Sequence, residues 1–281
     1  MGTDLAPSVL QQTRDLFRPL YQPRPCRKAL DVAYGPDPRH RLDIYSPEHA
    51  GCPVIMFVPG GGFVGGDKDD GHVFYRNIGE FFVAAGYVCV IANYRLAPQH
   101  NWPSGGVDVG AALTWCLTHI ADYGGDAEHL FLCGQSAGAT HVATAVFGAT
   151  PDITPTLRGV LLINGLFDST DTPETPNFDA YFGPRDTRAE RSPLEMCRPL
   201  SVPVFMALTE HEPRFLASST LRLADRLCLM TGRCPPIEWL AGHNHVSCVF
   251  AIGTRYDDLG PLLLSFCASQ RAAATSSPKG A

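Results

Sequence analysis

The sequence predicts an α/β fold with a mainly parallel central sheet and helices on both faces. Three observations predict it. Short apolar runs, as at 53–59 (PVIMFVP) and 158–163 (RGVLLI), are continuous rather than alternating, as in strands covered on both sides. Longer stretches with apolar side chains at helical spacing separate them, so strand and crossover helix alternate. Glycine-rich turns close several of the runs, at the strand ends where such sheets bind their ligands.

In chain order, residues 1–29 read as a helical or irregular arm with an apolar stripe at Leu10, Leu16, Phe17 and Leu20, and as a candidate part of a cap. Residues 42–45 (LDIY) alternate, which predicts an antiparallel strand with one wet face. The strand at 53–59 runs into a glycine-rich loop at 60–66. Phe74, Ile78, Phe81, Phe82 and Ala85 then predict a helix over 72–86, stopped at Gly86. Strands are expected at 87–94, 129–134, 158–163, 203–209 and 236–240. Helices are expected at 106–121, 137–148, 214–230 and about 247–267. The stretch 165–200 carries prolines at 173, 176, 184, 193 and 199 and suits a substrate-covering lid. The catalytic domain is expected over 30–268, with a small, polar, flexible tail at 269–281.

With 281 residues and 45% hydrophobic content, the chain suits one globular domain. Charged residues are only 18%, below the usual quarter, which fits a sheet with both faces buried. The net charge is −6 and no Lys/Arg cluster occurs, so a nucleic-acid partner is not expected. No apolar run approaches the ~20 residues of a membrane span. The first residues lack a basic start and an apolar core, so the expected location is cytoplasmic. There the ten cysteines should stay reduced and mostly buried. No C-x-x-C pair occurs, so no metal site or redox cofactor is expected.

Gly134-Gln135-Ser136-Ala137-Gly138 matches G-x-S-x-G between an expected strand and an expected helix. That context makes a nucleophile elbow: the turn exposes Ser136, and the flanking glycines admit the neighbouring backbone. Ala137 offers its N–H at the helix start, where developing negative charge is stabilised. Pro59-Gly60-Gly61-Gly62-Phe63 ends the strand before it, and Gly61 and Gly62 are the candidates for the other oxyanion donors. A phosphate loop is excluded, since no GxxxxGK(S/T) occurs. Phe63, Leu166, Phe167 and Tyr181 are candidates for an apolar substrate pocket, with plain core packing as the competing reading. Asp67-Lys68 reads as a surface ion pair.

PGGGF after the first parallel strand, Asn93-Tyr94-Arg95-Leu96-Ala97-Pro98 after the next, Gly124-Gly125-Asp126 and GQSAG stand in order. Over roughly residues 40–267 the chain resembles the hormone-sensitive-lipase-like branch of the α/β-hydrolases. The resemblance implies a serine carboxylesterase with a Ser–acid–His triad and no cofactor, acting on small to medium esters through an acyl-enzyme. Pro59 stands where that family carries a His that braces the loop. Gln135 stands where Asp or His is usual.

The base must follow the acid in such a chain, and His211, His243 and His245 lie downstream of Ser136. The family pattern, a His followed by an apolar residue and the last helix, points to His245, with His243 as the alternative. For the acid, the family's Asp-Pro corresponds to Glu212-Pro213, and Glu210 and Asp168 remain alternatives. The resemblance also suggests a homodimer through the edge near 236–240. Two rival functions are an arylformamidase-like amidase, whose group the run from Gly61 to Lys68 also resembles, and a non-catalytic ligand-binding member of the fold.

Overall fold

In a computed structural model, residues 2–71 and 73–276 are described, with the backbone alone at 149 and 273–276. The arm forms helix α1 (Pro7–Phe17), followed by strands β1 (Arg27–Ala33), β2 (Arg41–Ser46) and β3 (Cys52–Val58). Then come α2 (Arg76–Ala84), β4 (Val88–Ala92), α3 (Ser104–His119), β5 (Gly125–Gln135), α4 (Ala137–Thr144) and β6 (Leu157–Ile163). The stretch expected as a lid holds two short helices, α5 (Pro176–Phe182) and α6 (Pro193–Met196). The chain continues through β7 (Val204–His211), α7 (Arg214–Thr231), β8 (Ile237–Asn244), α8 (Ser247–Phe250) and α9 (Gly260–Ser276).

The eight strands form one sheet in the order β1-β2-β4-β3-β5-β6-β7-β8. Only the β1–β2 and β2–β4 pairs are antiparallel; the rest are parallel. Every residue of β3 and β4 is buried, as their unbroken apolar runs require. One core layer gathers Val54, Met56, Leu132 and Val142; the other gathers Ile55, Phe57, Phe131 and Leu263.

Several expectations are corrected. The expected wet face of 42–45 is covered. Asp43, on that face, pairs with Lys68 Nζ at 2.9 Å and accepts the Asp31 N–H. Tyr45, beside it, lies against Gly79 of α2 so tightly that a Cβ there would fall 2.5 Å from its ring. Lys68 is thus buried rather than part of a surface pair, and Asp67 meets Arg39 instead. The arm boundary at 29 cuts through β1, which already belongs to the sheet; this edge strand is mostly exposed and carries no apolar run to betray it.

The last helix is two helices. Between α8 and α9 the Asp257 carboxylate accepts the N–H groups of Gly253 and Gly260, so the chain turns where a continuous helix was expected. The flexible tail expected from 269 is helical as far as Ser276, and 277–281 lie outside the described residues. Cys228 and Cys234 form a disulfide, against the expectation of ten reduced thiols. The other eight cysteines are free, and all of these but Cys26 are buried. Among the described residues, no helix is long and apolar enough to cross a membrane.

Candidate active site

Ser136 sits between β5 and α4 at φ 56°, ψ −127°, a backbone conformation that costs a non-glycine residue free energy and marks a held position. Its N–H donates to the Ile163 carbonyl of the neighbouring strand at 2.9 Å. The glycine two residues on has a structural duty. A Cβ on Gly138 would stand 2.1 Å from the Val58 carbonyl, so only glycine lets α4 press onto the end of β3.

Three side chains from separate strand ends meet there. Ser136 Oγ lies 2.7 Å from His245 Nε2, and His245 Nδ1 lies 2.5 Å from Glu212 Oε1. A neutral imidazole in this setting carries its proton on Nδ1, donates it to Glu212, and accepts from the serine hydroxyl. The Glu212 carboxylate is almost wholly buried, and its second oxygen accepts the Thr209 hydroxyl at 2.5 Å, so neither oxygen is left without a donor. The histidine is fixed through its backbone as well: the His245 carbonyl accepts Gln135 Nε2 at 2.9 Å and Asn164 Nδ2 at 3.1 Å.

The alternatives are engaged elsewhere. His243 binds the Ser247 hydroxyl and Asp258. His211 stands opposite Asn244 in the backbone register of β7 and β8. Glu210 accepts the Gly242 N–H at 2.7 Å. Asp168 is tied to Arg222 and Thr170; burial alone would raise its pKa, but those hydrogen bonds outweigh it and hold the carboxyl below its usual range.

The glycine loop faces Ser136 across a cavity of about 1100 Å³ whose lining includes Gly60, Gly61, Gly62, Ser136, Ala137 and His245. Gly61 adopts φ 154°, and a Cβ on it would stand 1.9 Å from the Gly65 carbonyl, so the loop closes only with glycine there. The loop is braced without a histidine. Tyr94 donates its hydroxyl to the Pro59 carbonyl at 3.0 Å. Tyr75 lines the same cavity beside Gly60, and burial raises its pKa.

Phe63 and Leu166 line the cavity beside Phe178, Phe215 and Leu216. Phe167 does not. Its N–H is bound by Ser219 Oγ and its ring lies fully buried in the core cluster with Leu194 and Leu223. Tyr181 is also fully buried, stacked behind Phe63 with ring centroids 4.7 Å apart. The arm reaches the cavity too, through Leu5, Pro7, Leu10 and Arg14. Arg14 pairs with Asp70 at 2.8 Å, and Thr13 Oγ1 accepts from Asn244, the neighbour of His245.

Sequence reasoning missed Asn164, Thr209, Tyr75 and Tyr94. Asn164 is a polar residue directly after the apolar run 158–163, which is a visible signal, but nothing in the sequence shows which way its amide turns.

The BD-FAE family model matches residues 42–155, a stretch that holds the glycine loop and Ser136 but not Glu212 or His245. A probable carboxylic ester hydrolase, LipM of Mycobacterium tuberculosis, is 26% identical over 76% of this chain and 47% of its own length. Esterase LipC of the same organism is 33% identical over 52% of this chain and 39% of its own. The chain thus spans less than half the length of these curated relatives. Among solved structures, esterase B of Lactobacillus rhamnosis inhibited by a C6-C4 SN3 compound is similar with a TM-score of 0.78 and 17% identity, covering 96% of each chain. A hyperthermophilic esterase of Pyrobaculum calidifontis gives 0.70 and 21%, covering 98% of this chain and 94% of its own. With its eight-stranded, mainly parallel sheet and its strand–serine–helix elbow, the chain has the α/β-hydrolase fold, and in sequence it resembles the hormone-sensitive-lipase-like esterases.

Proposed function

We propose that the protein is a serine carboxylesterase acting on small to medium esters through an acyl-enzyme. The observation that carries this reading is the unbroken hydrogen-bond chain Ser136–His245–Glu212 on the wall of an open cavity. Ser136 Oγ attacks the ester carbonyl while His245 Nε2 takes its proton. The oxyanion is met by the N–H groups of Gly61, Gly62 and Ala137. His245 returns the proton to the departing alcohol as the tetrahedral intermediate collapses. Water, deprotonated by the same imidazole, then releases the acid and frees Ser136. Glu212 holds the imidazole tautomer and stabilises the imidazolium, while the Thr209 hydroxyl fixes its second oxygen.

Phe63 and Leu166 contribute the apolar wall for the substrate, and the arm acts as part of the cap. The protein is read as cytoplasmic, a reading that its eight free thiols support and its Cys228–Cys234 disulfide opposes. A homodimer through β8 is supported by the exposure of Ile237 and Trp239 on that edge; sedimentation of the wild type against Trp239→Lys tests it.

The test of the reaction is covalent labelling of Ser136 by a fluorophosphonate, paired with turnover of p-nitrophenyl esters from acetate to palmitate. Labelling with ester turnover is the expected result. Turnover confined to formamides or anilides would favour the amidase reading, and folded protein that neither labels nor hydrolyses would leave a ligand-binding role.

A further inference from the structure

Asn164 closes a ring of hydrogen bonds that runs through both partners of the nucleophile. Its Nδ2 donates to the His245 carbonyl at 3.1 Å; His245 Nδ1 bonds Glu212 Oε1; Thr209 Oγ1 donates to Glu212 Oε2; and the Thr209 N–H returns to Asn164 Oδ1 at 3.2 Å. Asn164 and Thr209 are fully buried. The serine is joined to the same point of the chain, because its N–H donates to the carbonyl of Ile163, the residue before Asn164. The end of β6 therefore ties together three segments that lie far apart in sequence: the elbow, the acid turn after β7 and the histidine turn after β8.

The backbone supports this arrangement. Asn164 sits at φ 50°, a left-handed conformation that asparagine tolerates better than most residues. Its own N–H donates to Ala207 of β7 at 3.1 Å, so its main chain still belongs to the sheet while its amide crosses to the two loops. An amide suits the position because one end must accept from a backbone N–H and the other must donate to a backbone carbonyl. Gln135 is the second donor to that carbonyl, but it makes no link to the acid.

We propose that Asn164 is a positioning residue: through the Thr209–Glu212 and His245 bonds it sets the acid and the base in register with Ser136. This rests on the Ser136–His245–Glu212 reading of the site. Misplacing the imidazole relative to the serine removes alignment rather than binding, so the loss falls on kcat and not on KM.

The experiment compares wild type, Asn164→Gly, Asn164→Asp and Thr209→Val, with Asn164→Gly also placed in a Glu212→Gln background. Each variant is checked for folding by urea denaturation and assayed with a p-nitrophenyl ester. Glycine keeps the left-handed backbone without strain. Aspartate keeps the shape and the acceptor for the Thr209 N–H but loses the donor to His245. Asn164→Gly is expected to lower kcat about 10- to 100-fold with KM within about twofold. Asn164→Asp is expected not to restore it, and Thr209→Val to show the same kcat-only loss from the opposite side of the ring. With Glu212→Gln already breaking the ring, Asn164→Gly should cost less than about threefold more. Undiminished kcat in folded Asn164→Gly, restoration by aspartate, or an equal fold loss in the Glu212→Gln background would overturn the proposal. Wild-type protein that neither turns over esters nor labels at Ser136 would instead overturn the esterase reading beneath it.

Discussion

His141 makes the stability of this fold dependent on pH, and the dependence has a definite sign. The residue lies in α4, fully buried, one turn past Ser136. The rings of Tyr94, Tyr181 and Phe63 surround it at 4.3, 5.2 and 5.5 Å. Its Nδ1 meets the Tyr181 hydroxyl at 3.2 Å, and its Nε2 has no hydrogen-bond partner among the described residues. Burial pushes the imidazole down to about 3, with Asp108 pulling weakly the other way. Unfolded, the same side chain titrates near its ordinary value of 6.5. Between those two values the unfolded chain binds a proton that the folded chain refuses, so stability is lost as the pH falls.

Well below 6.5 the loss approaches about 1.4 kcal/mol per pH unit, which amounts to about 2 kcal/mol between about pH 7.5 and about pH 5. The assay is urea unfolding of wild type and His141→Gln across that range. Every other titrating group is common to both proteins, so the difference between their stabilities isolates this one. It should shift against the wild type by about 2 kcal/mol on going to about pH 5. A difference that stays constant across the range would refute the argument and would mean that His141 is hydrated or charged in the fold.

The remaining predictions concern the site. Ser136→Ala and His245→Ala should each lower kcat by about 10⁴-fold or more with the urea midpoint unchanged, whereas His243→Ala should cost less than about tenfold; a deeper loss at His243 would mean that the wrong imidazole has been taken as the base. Glu212→Gln should cost about 10⁴-fold. Asp168→Asn should leave ester turnover within about twofold while lowering stability, since the carboxylate serves Arg222 and Thr170 rather than the imidazole. Gly61→Ala should lower kcat by about 10²- to 10³-fold, because its Cβ must displace the loop from the Gly65 carbonyl; stopped-flow acylation by p-nitrophenyl acetate checks this.

What the sequence revealed and what it concealed divide along a physical line. The strands at 53–59, 87–94 and 158–163 were legible because burial on both faces forces an unbroken apolar run, and the elbow because its glycines answer to backbone contact at one place. Gly138 against the Val58 carbonyl is such a contact. β1 was hidden because an exposed edge strand pairs through its backbone and needs no apolar pattern. The break before α9 depends on one carboxylate, Asp257, reaching two N–H groups, and periodicity carries no trace of that. Leu166 and Phe167 are adjacent apolar residues in a segment without strand or helix periodicity, so the sequence does not show that one lines the cavity and the other joins the core.

The same division runs through the candidate triad. Ser136 announces itself by its local context. The acid and the base do not, because Glu210 and Glu212 stand in one loop and His243 and His245 in the other, and selection among them depends on where β7 and β8 stop relative to β5. The resemblance to a family pointed to Glu212 and His245; the geometry supplies a physical reason for the pair. Glu212 has the Thr209 hydroxyl on its far oxygen, and His245 has two amide donors on its carbonyl, while His243 and Glu210 are held in bonds that turn them away. A nucleophile can be recognised from five residues because its strain is local. Its partners are defined by a ring of bonds among residues 164, 209, 212 and 245, which acquires meaning only when the sheet brings those strand ends side by side.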